Sequence, residues 1–316
     1  MTQAPFHHGI AAAPEGAEAV WVVAPDGVRL RLAMLAPPPN DCRGTVLLFT
    51  GRTEFVEKYG PAAAELQARG YASVTLDWRG QGLSDRQLDD PATGHVSRFS
   101  EYQLDVAELV RFARAKGLPE PFFLLAHSMG GAIGLRALHE RLPVAAVAFS
   151  APMWGIKLHP ATRPFAGLIT ASAHATGFGS RYAPSTKPVT YVLDAPFENN
   201  TLTTDPEMFA WMRRQVEMQP ELALGGPSMT WLNEAFREGR RLRRLPPPAT
   251  PCITWMGGNE RIVEISAIRR LMADWSGGAL TEVPGAEHEL MMEPQPIRAA
   301  FFDACAALFD TRGAAA

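Results

Sequence analysis

A serine at a strand-to-helix junction is the residue of this sequence best placed for nucleophilic chemistry. An apolar run at 122–125 stops at the letters AHSMGG, and apolar residues then recur with helical spacing. Small residues, Ala126 and Gly130, stand two positions before and two positions after Ser128. A tight turn at such a place exposes the serine hydroxyl, although the short motif alone suits an ordinary loop serine equally well.

A histidine late in the chain could serve as the general base that a serine hydroxyl needs. His288 follows the last apolar run, at 280–283, in the loop PGAEHEL. A loop at the carboxyl end of a strand is where the base of a strand–turn–helix serine enzyme stands, and the chain order there is serine, acid, histidine. The alternative is an exposed loop histidine without a catalytic role.

A glutamate between Ser128 and His288 could orient that base. Glu260 is the first carboxylate after the apolar run at 252–256. Glu264 is its nearest competitor, and a surface ion pair of Glu260 with Arg261 is the interpretation without function. A carboxylate at this place would fix the imidazole tautomer and stabilise the imidazolium.

Two backbone amides are also needed, because an acyl transfer develops negative charge on the carbonyl oxygen. The amide of Met129, directly after the serine, is one expected donor. The other is expected in the loop after the apolar run at 45–49, where Gly51 permits the turn and Arg52 supplies the N–H.

The elements that must position these residues alternate between buried strands and helices. Short continuous apolar runs, separated by helical patterns, are typical of the buried strands of a parallel sheet. A hairpin signal, Pro-Asp-Gly at 25–27, precedes them. The pattern predicts an α/β fold with a mostly parallel sheet. The runs lie at 45–49, 71–76, 122–125, 144–149, 252–256 and 280–283.

The alternation of strands and helices stops after the strand expected at 144–149. From 151 to about 245 the sequence shows helix-like stretches rich in methionine and aromatic residues, closed by three prolines at 246–248. We therefore expect a core in two parts, 1–153 and 249–316, with a mainly helical cap at 154–248 above the carboxyl edge of the sheet. Candidate substrate-lining residues in the cap are Trp154, Phe178, Trp211 and Met212, and the alternative is that they form the cap's own core.

Composition narrows the class of protein and its compartment. A net charge of −3 on 316 residues gives no global reason to expect nucleic acid as a partner. Three scattered cysteines, Cys42, Cys252 and Cys305, form neither a disulfide framework nor a metal-ligand pattern. The first twenty residues lack a signal-peptide pattern, and no apolar run approaches the length of a membrane span. The sequence predicts a cytoplasmic protein.

Five motifs in order carry a resemblance to a known family. They are GRTEFVEKY at 51–59, DWRGQGLSD at 77–85, AHSMGG at 126–131, GNERIV at 258–263 and PGAEHELMME at 284–293. The sequence resembles the serine hydrolase family of monoacylglycerol lipases and lysophospholipases, and it is most similar to the bacterial lysophospholipase L2 branch.

The resemblance implies the α/β-hydrolase fold and a set of roles. Nucleophile, acid and base fall on Ser128, Glu260 and His288, and the oxyanion amides fall on Arg52 and Met129. Glu54 is implied to order the oxyanion loop, and no metal or organic cofactor is implied. Thr50-Gly51 stands where monoacylglycerol lipases have His-Gly, and Glu260 stands where they have Asp, which puts strict monoacylglycerol specificity in doubt.

The expected function is hydrolysis of carboxylic esters of monoacyl lipids through an acyl-enzyme. The alternatives are a general carboxylesterase for short soluble esters and, remotely, a non-catalytic ligand-binding protein on the same fold. Arginines dense at 237–244 could bind a phosphodiester or could be a solvated helix end. Peripheral contact with a membrane fits a lipid substrate, and the sequence does not indicate the oligomeric state.

Overall fold

A mixed β-sheet forms the centre of the computed structural model, which describes residues 1–158 and 163–313. The strands are β1 (Thr2–Ala4), β2 (Glu18–Val23), β3 (Arg29–Ala36), β4 (Thr45–Phe49), β5 (Ala72–Asp77), β6 (Phe122–His127), β7 (Val147–Ser150), β8 (Cys252–Gly257) and β9 (Gly278–Val283). The sheet order is β1-β2-β3-β5-β4-β6-β7-β8-β9. The pairings along β1-β2-β3-β5 are antiparallel, and the pairings along β5-β4-β6-β7-β8-β9 are parallel.

The expected α/β-hydrolase architecture is confirmed, because helices cover both faces of this mostly parallel sheet. The helices are α1 (His8–Ala11), α2 (Gly60–Ala68), α3 (Tyr102–Ala115), α4 (Met129–His139), α5 (Arg163–Ala175), α6 (Tyr191–Asp194), α7 (Pro206–Met218), α8 (Met229–Leu242), α9 (Ile265–Ala273) and α10 (Gln295–Gly313). Short 3₁₀ turns lie at Val56–Tyr59, Phe99–Glu101, Pro220–Leu222 and Leu290–Met292.

Alternation along the central strands divides the core into two layers. In β4, Leu47 and Phe49 face the layer that contains α3, α4 and α9. Val46 and Leu48 face the layer that contains α2 and α10. Successive side chains of a strand point to opposite faces, so a strand with a helical layer on each side must be apolar at every position. This is why β4 is a continuous apolar run.

The register of the central strands aligns the ends that matter for chemistry. Phe49, the last residue of β4, pairs with Ala126 of β6. Ser150, the last residue of β7, pairs with His127 of β6 and with Trp255 of β8. Because these strands are parallel, the loops that follow them leave the sheet at one edge, as is general for ligand sites of open α/β sheets.

Four helices, α5 to α8, lie between β7 and β8. Side chains cap two of them: Asp205 accepts from the amides of Glu207 and Met208 at the start of α7, and Ser228 accepts from the amide of Trp231 in α8. The segment also touches the core through bridges between 94 and 227 and between 156 and 263. The division at 153 and 248 stays a prediction, and residues 159–162 and 314–316 lie outside the described residues.

One strand was not expected from the sequence. Residues 2–4 form β1 and pair with 19–21 of β2, at the antiparallel end of the sheet. Within the described ranges, we find no helix that is both long enough and apolar enough to cross a bilayer.

Candidate active site

Ser128 occupies a strained turn between β6 and α4. Its backbone angles are φ 50° and ψ −116°, a conformation that costs energy for any residue with a side chain. Gly130 makes the turn possible, because a Cβ at that position would lie 2.3 Å from the carbonyl oxygen of Phe49. The carbonyl of Ser128 accepts from the amides of Gly131 at 2.9 Å and Met153 at 2.8 Å, which fixes the turn against the residue that leads into the helical segment.

His288 and Glu260 lie beside this serine in one hydrogen-bonded line. The Nε2 atom of His288 is 2.9 Å from Ser128 Oγ, and its Nδ1 atom is 2.6 Å from Glu260 Oε2. A carboxylate only accepts, so Nδ1 carries the proton and Nε2 accepts from the serine hydroxyl. All three side chains are buried. The structure therefore brings together the three residues that the sequence singled out.

Glu260 is held in place by its own loop after β8. Its Oε1 atom accepts from the amides of Ile262 at 2.6 Å and Val263 at 3.0 Å, which leaves Oε2 for His288. The competitor Glu264 accepts from Ser266 Oγ and lies against the backbone at 155. A loop that offers its amides to Glu260 explains why this carboxylate faces the imidazole.

Arg261, the other residue of the surface pair considered from the sequence, points elsewhere. Its Nη2 atom is 3.1 Å from the carboxylate of Glu287, and it also donates to the carbonyl of Asn200. The Glu260 carboxylate is thus engaged with His288 and the loop amides rather than with this guanidinium.

The loop that carries His288 is also fixed by its backbone. The amide of His288 donates to the carbonyl of Thr201 at 3.2 Å, and the amide of Glu289 donates to the carbonyl of Leu202 at 2.8 Å. Two residues of the helical segment between β7 and β8 therefore hold the histidine loop in register.

The electrostatics of the line favour a histidine that takes up a proton. Burial lowers the pKa of His288, but the carboxylates of Glu260, Glu289 and Glu54, with Glu260 foremost, together raise it by more, so the pKa lies above that of an ordinary histidine. Burial raises the pKa of Glu260, and His288 together with the loop amides lowers it further than that, so Glu260 stays ionised.

A second carboxylate, Glu54, ties down the loop after β4. It accepts from the amide of Gly51, from Lys58 Nζ at 2.7 Å and from the hydroxyl of Tyr59 at 2.5 Å. Burial raises its pKa, but Lys58 and His127 lower it to about 2, so the carboxylate is charged at neutral pH. This bonding fixes the backbone directly before Arg52.

The two amides expected to receive an oxyanion are free to do so. Met129 is the first residue of α4, where a helix offers amides without intrahelical acceptors. Among residues 1–158 and 163–313, neither the Met129 amide nor the Arg52 amide has a protein acceptor. The pairing of Phe49 with Ala126 brings the two loops side by side.

A charged pair behind the histidine escaped the sequence analysis. Lys58 Nζ lies 2.6 Å from Glu289, the residue after His288, while also binding Glu54. The His127 ring is 4.8 Å from the His288 ring, and its Nδ1 atom is 3.0 Å from the carbonyl of Ser150. Burial lowers the pKa of His127 to about 3, so it is neutral. Lys58 and Glu289 stand in the stretches EKY at 57–59 and HEL at 288–290, but no feature of the sequence indicates that they form an ion pair.

One set of side chains in the described chain has the spacing of metal ligands: Glu54, His127 and Glu289. The ammonium of Lys58 binds both of its carboxylates, which supplies the positive charge that a metal would otherwise bring. The donor set therefore does not fit a resident cation.

The four residues suggested for substrate contact have different surroundings. Trp154 is fully buried, stacks with Trp275 and donates to the carbonyl of Gly131 at 3.2 Å. Met212 is buried and Trp211 partly buried in one cluster with α10, whereas Phe178 is 49 % exposed. Their role in substrate binding stays a prediction.

The arginine-rich end of α8 is largely solvated. Arg237 pairs with Glu234 at 2.8 Å, and Arg243 donates to the carbonyl of Trp154 at 2.5 Å. Arg240, Arg241 and Arg244 are exposed. Cations at the carboxyl end of a helix are stabilised there by the helix dipole, whether or not they bind a ligand.

The sheet order, the strained serine turn and the flanking helices define an α/β-hydrolase. Residues 40–295 match the family described as "Serine aminopeptidase, S33" (Hydrolase_4), and the chain belongs to that family.

Relatives and solved structures agree with this assignment. "Lysophospholipase L2" of Escherichia coli (strain K12) is 32% identical over 278 residues, which cover 84% of this chain and 80% of the relative. A crystal structure of a soluble variant of monoglyceride lipase from Saccharomyces cerevisiae has a TM-score of 0.74 at 20% identity, over 98% of this chain and 99% of that one. A carboxyl esterase structure from Bacillus coagulans has a TM-score of 0.75 at 14% identity, over 95% and 100%.

Proposed function

We propose that this protein is a carboxylic ester hydrolase that cleaves monoacyl lipids through an acyl-enzyme. The observation that carries the proposal is the hydrogen-bonded line from Ser128 through His288 to Glu260, at 2.9 and 2.6 Å. The substrate class rests on the relatives, which include lysophospholipase L2 from Escherichia coli and a monoglyceride lipase from Saccharomyces cerevisiae.

In the proposed reaction, His288 removes the proton of Ser128 as Oγ attacks the ester carbonyl. Glu260 holds the imidazole with its Nδ1 proton inward and stabilises the imidazolium that forms. His288 then protonates the departing glycerol or glycerophospho oxygen. Water, deprotonated by the same histidine, hydrolyses the acyl-enzyme and regenerates the serine.

The oxyanion of each tetrahedral intermediate lies, in this proposal, between the amides of Arg52 and Met129. Both amides lack protein acceptors within the described chain, and one donor of this kind is typically worth about 3 kcal/mol of transition-state stabilisation. Glu54 acts as a positioning residue because it binds the amide of Gly51, next to Arg52.

We propose that residues 154–248 form a cap that shapes the acyl-chain site. The helices α5 to α8 support it, since they follow β7 and the chain therefore enters them at the sheet edge that carries Ser128 and Glu260. Trp211, Met212 and Phe178 are the candidates for contact with the acyl chain. Trp154, which is packed between Phe149 and Trp275, would act there through the shape of the pocket floor.

Peripheral membrane contact is part of the proposal, because monoacyl lipids partition into bilayers. Several large apolar side chains between β7 and β8 are exposed, and each would bury apolar surface on entering a bilayer interface. They are Ile169, Phe178, Val189, Tyr191 and Met218. Sedimentation with phosphatidylcholine vesicles should deplete the protein from the supernatant. An unchanged protein concentration in the supernatant would rule out membrane contact. A cytoplasmic location stays a prediction, with which three unpaired thiols agree.

The test of the main proposal is a hydrolysis panel with the purified protein. It contains lysophosphatidylcholine, monoacylglycerol and nitrophenyl esters from acetyl to palmitoyl, with Ser128→Ala as the blank. We expect the long-chain monoacyl lipids to be hydrolysed with higher kcat/KM than the short esters. Preference for short esters would favour a general carboxylesterase, and no reaction with active-site serine probes would favour a non-catalytic binding protein.

A further inference from the structure

Arg52 differs in its bonding from Arg31 and Arg79, which are fully buried. Arg31 binds Glu57 and Asp77, and Arg79 binds Asp105 and Asp26. No carboxylate of residues 1–158 or 163–313 lies within ion-pair distance of Arg52. Arg52 is half-buried, and a guanidinium that is partly withdrawn from water is normally compensated by an anion.

The guanidinium of Arg52 uses only part of its hydrogen-bonding capacity. Its Nη2 atom donates to the carbonyl of Gly225 at 2.6 Å, and its Cζ atom lies 5.2 Å from the centroid of the Trp231 ring. The Nε atom is shielded from solvent and has no acceptor. The bond from Nη2 is the hydrogen bond that this side chain makes to the described residues. Burial lowers the pKa of Arg52 to about 10, so the group remains cationic at neutral pH.

The Arg52 side chain starts at the proposed reacting centre. The amide of Arg52 is the proposed oxyanion donor, and its side chain extends from there toward α8, between the core and the helical segment. In a lysophospholipid, the ester and the phosphodiester are separated only by the three carbons of glycerol. A residue whose amide faces the ester oxygen can therefore reach the phosphodiester with its side chain.

We propose that the Arg52 guanidinium binds the phosphodiester of a lysophospholipid whose ester carbonyl lies at Ser128. This inference rests on the proposed function and narrows it from monoacyl lipids in general to those with an anionic phosphate group. Arginine suits the task, because its planar donors match phosphate oxygens and it stays charged in an apolar setting. The solvated arginines at the end of α8 are not needed for head-group binding.

The test is a ratio that cancels general damage to the site. We compare kcat/KM for 1-palmitoyl-lysophosphatidylcholine with kcat/KM for 1-palmitoylglycerol, which have the same acyl chain and ester. Arg52→Met should lower this ratio about tenfold or more, as expected for a lost hydrogen bond to a charged group. Arg52→Lys, which keeps the charge and loses the planar donors, should restore part of the ratio.

Arg86 offers a matched control. Its guanidinium is also partly buried, binds the carbonyls of Gly80 and Gly82, and reaches the carbonyls of Glu221 and Ala223 beside α7. Arg86→Met removes a similar tether between core and helical segment, so its ratio should equal that of the wild type. A ratio in Arg52→Met within twofold of wild type, or an equal loss in Arg86→Met, overturns the inference.

Inhibition of the wild-type protein supplies a second measurement that does not depend on a folded variant. Glycerophosphocholine should inhibit hydrolysis of nitrophenyl butyrate at about tenfold lower concentration than glycerol. Equal inhibition overturns the inference, and so does stronger inhibition by inorganic phosphate, which would indicate a free-phosphate site. If the wild type hydrolyses neither palmitoyl lipid, the proposed function is wrong and the inference falls with it. If the wild type hydrolyses both lipids and Arg52→Met leaves the ratio unchanged, only the inference is wrong.

Discussion

At the scale of single residues, the candidate site contains a serine, Ser128, whose backbone conformation is unfavourable. Ser128 has a positive φ, and its carbonyl is bonded to two amides that keep it there. The strain is stored where the chain needs a side chain to project from the sheet edge. The surrounding turn does not depend on the hydroxyl, so chemistry and folding can be separated by mutation.

Ser128→Ala should lower kcat on any ester substrate by about 10⁴-fold or more, because no acyl-enzyme can form. The thermal unfolding midpoint should stay close to that of the wild type, since the backbone bonds of the turn remain. Calorimetry and single-turnover hydrolysis check both parts. A folded variant with a near-normal rate would show that Ser128 is not the nucleophile.

Glu260→Gln should lower kcat by at least about tenfold, because an amide can present its NH₂ to the imidazole and select the wrong tautomer. Glu264→Gln is the matched control, as Glu264 lies four residues further along the chain and its carboxylate binds Ser266. Comparison of kcat for the two variants on one ester is sufficient. A larger loss in the control would mean that the acid had been misassigned.

The pH dependence follows from the raised pKa of His288. The base must be neutral to accept the serine proton, so kcat/KM should rise with pH and reach half of its maximum above the ordinary histidine value of about 6.5. In Glu260→Gln the carboxylate no longer offsets the effect of burial, so the midpoint should move to lower pH. Initial rates between pH 5 and 9 test this, and an unmoved midpoint would contradict it.

At the scale of elements, close approach between β4 and the start of α4 organises the site. Gly130 allows it, since any larger residue would contact the carbonyls of Phe49 and Thr50. Gly130→Ala should cost about 1–3 kcal/mol in the free energy of unfolding and reduce kcat, because the turn must move away from β4. Gly9→Ala, at a helical site with open space around it, should be nearly neutral. Urea unfolding of both variants gives the comparison.

The loop after β4 gives a second prediction at this scale. Glu54→Gln should lower kcat more than it raises KM, because the amide of Gly51 loses its charged acceptor and the oxyanion donor beside it loosens. Glu57→Gln is the control, a buried carboxylate three residues on that binds Arg31 and not this loop. The control should lower the unfolding midpoint while kcat, measured well below that midpoint, is kept. Equal losses of kcat in both variants would show that Glu54 has only a structural role.

The sequence predicts these elements unevenly, for physical reasons. Strands such as β4 and β6 are evident because burial on both faces makes them continuous apolar runs. The three-residue β1 has no such pattern and exists only because β2 offers it an edge. The order Ser128, Glu260, His288 predicts the candidate site. The choice between Glu260 and Glu264 depends on which of them receives the loop amides, which the sequence does not show. The Lys58–Glu289 pair joins distant parts of the chain, which periodicity cannot show.

At the scale of the whole molecule, the segment between β7 and β8 is hydrogen-bonded to the sheet edge that carries the candidate site. The Met153 amide binds the carbonyl of Ser128, and the carbonyls of Thr201 and Leu202 receive the amides of His288 and Glu289. Such bonds make the segment a support for the site as well as a cover.

These bonds limit how the enzyme can be recombined. A chimera that joins this sheet to the helices of another hydrolase at 153 and 248 would discard the carbonyls of Thr201 and Leu202, and the histidine loop would lose its two backbone anchors. Viable grafts must keep the 201–202 stretch with the sheet and exchange the helices on either side of it. We therefore expect two exchangeable segments here, one on each side of 201–202, rather than a single one.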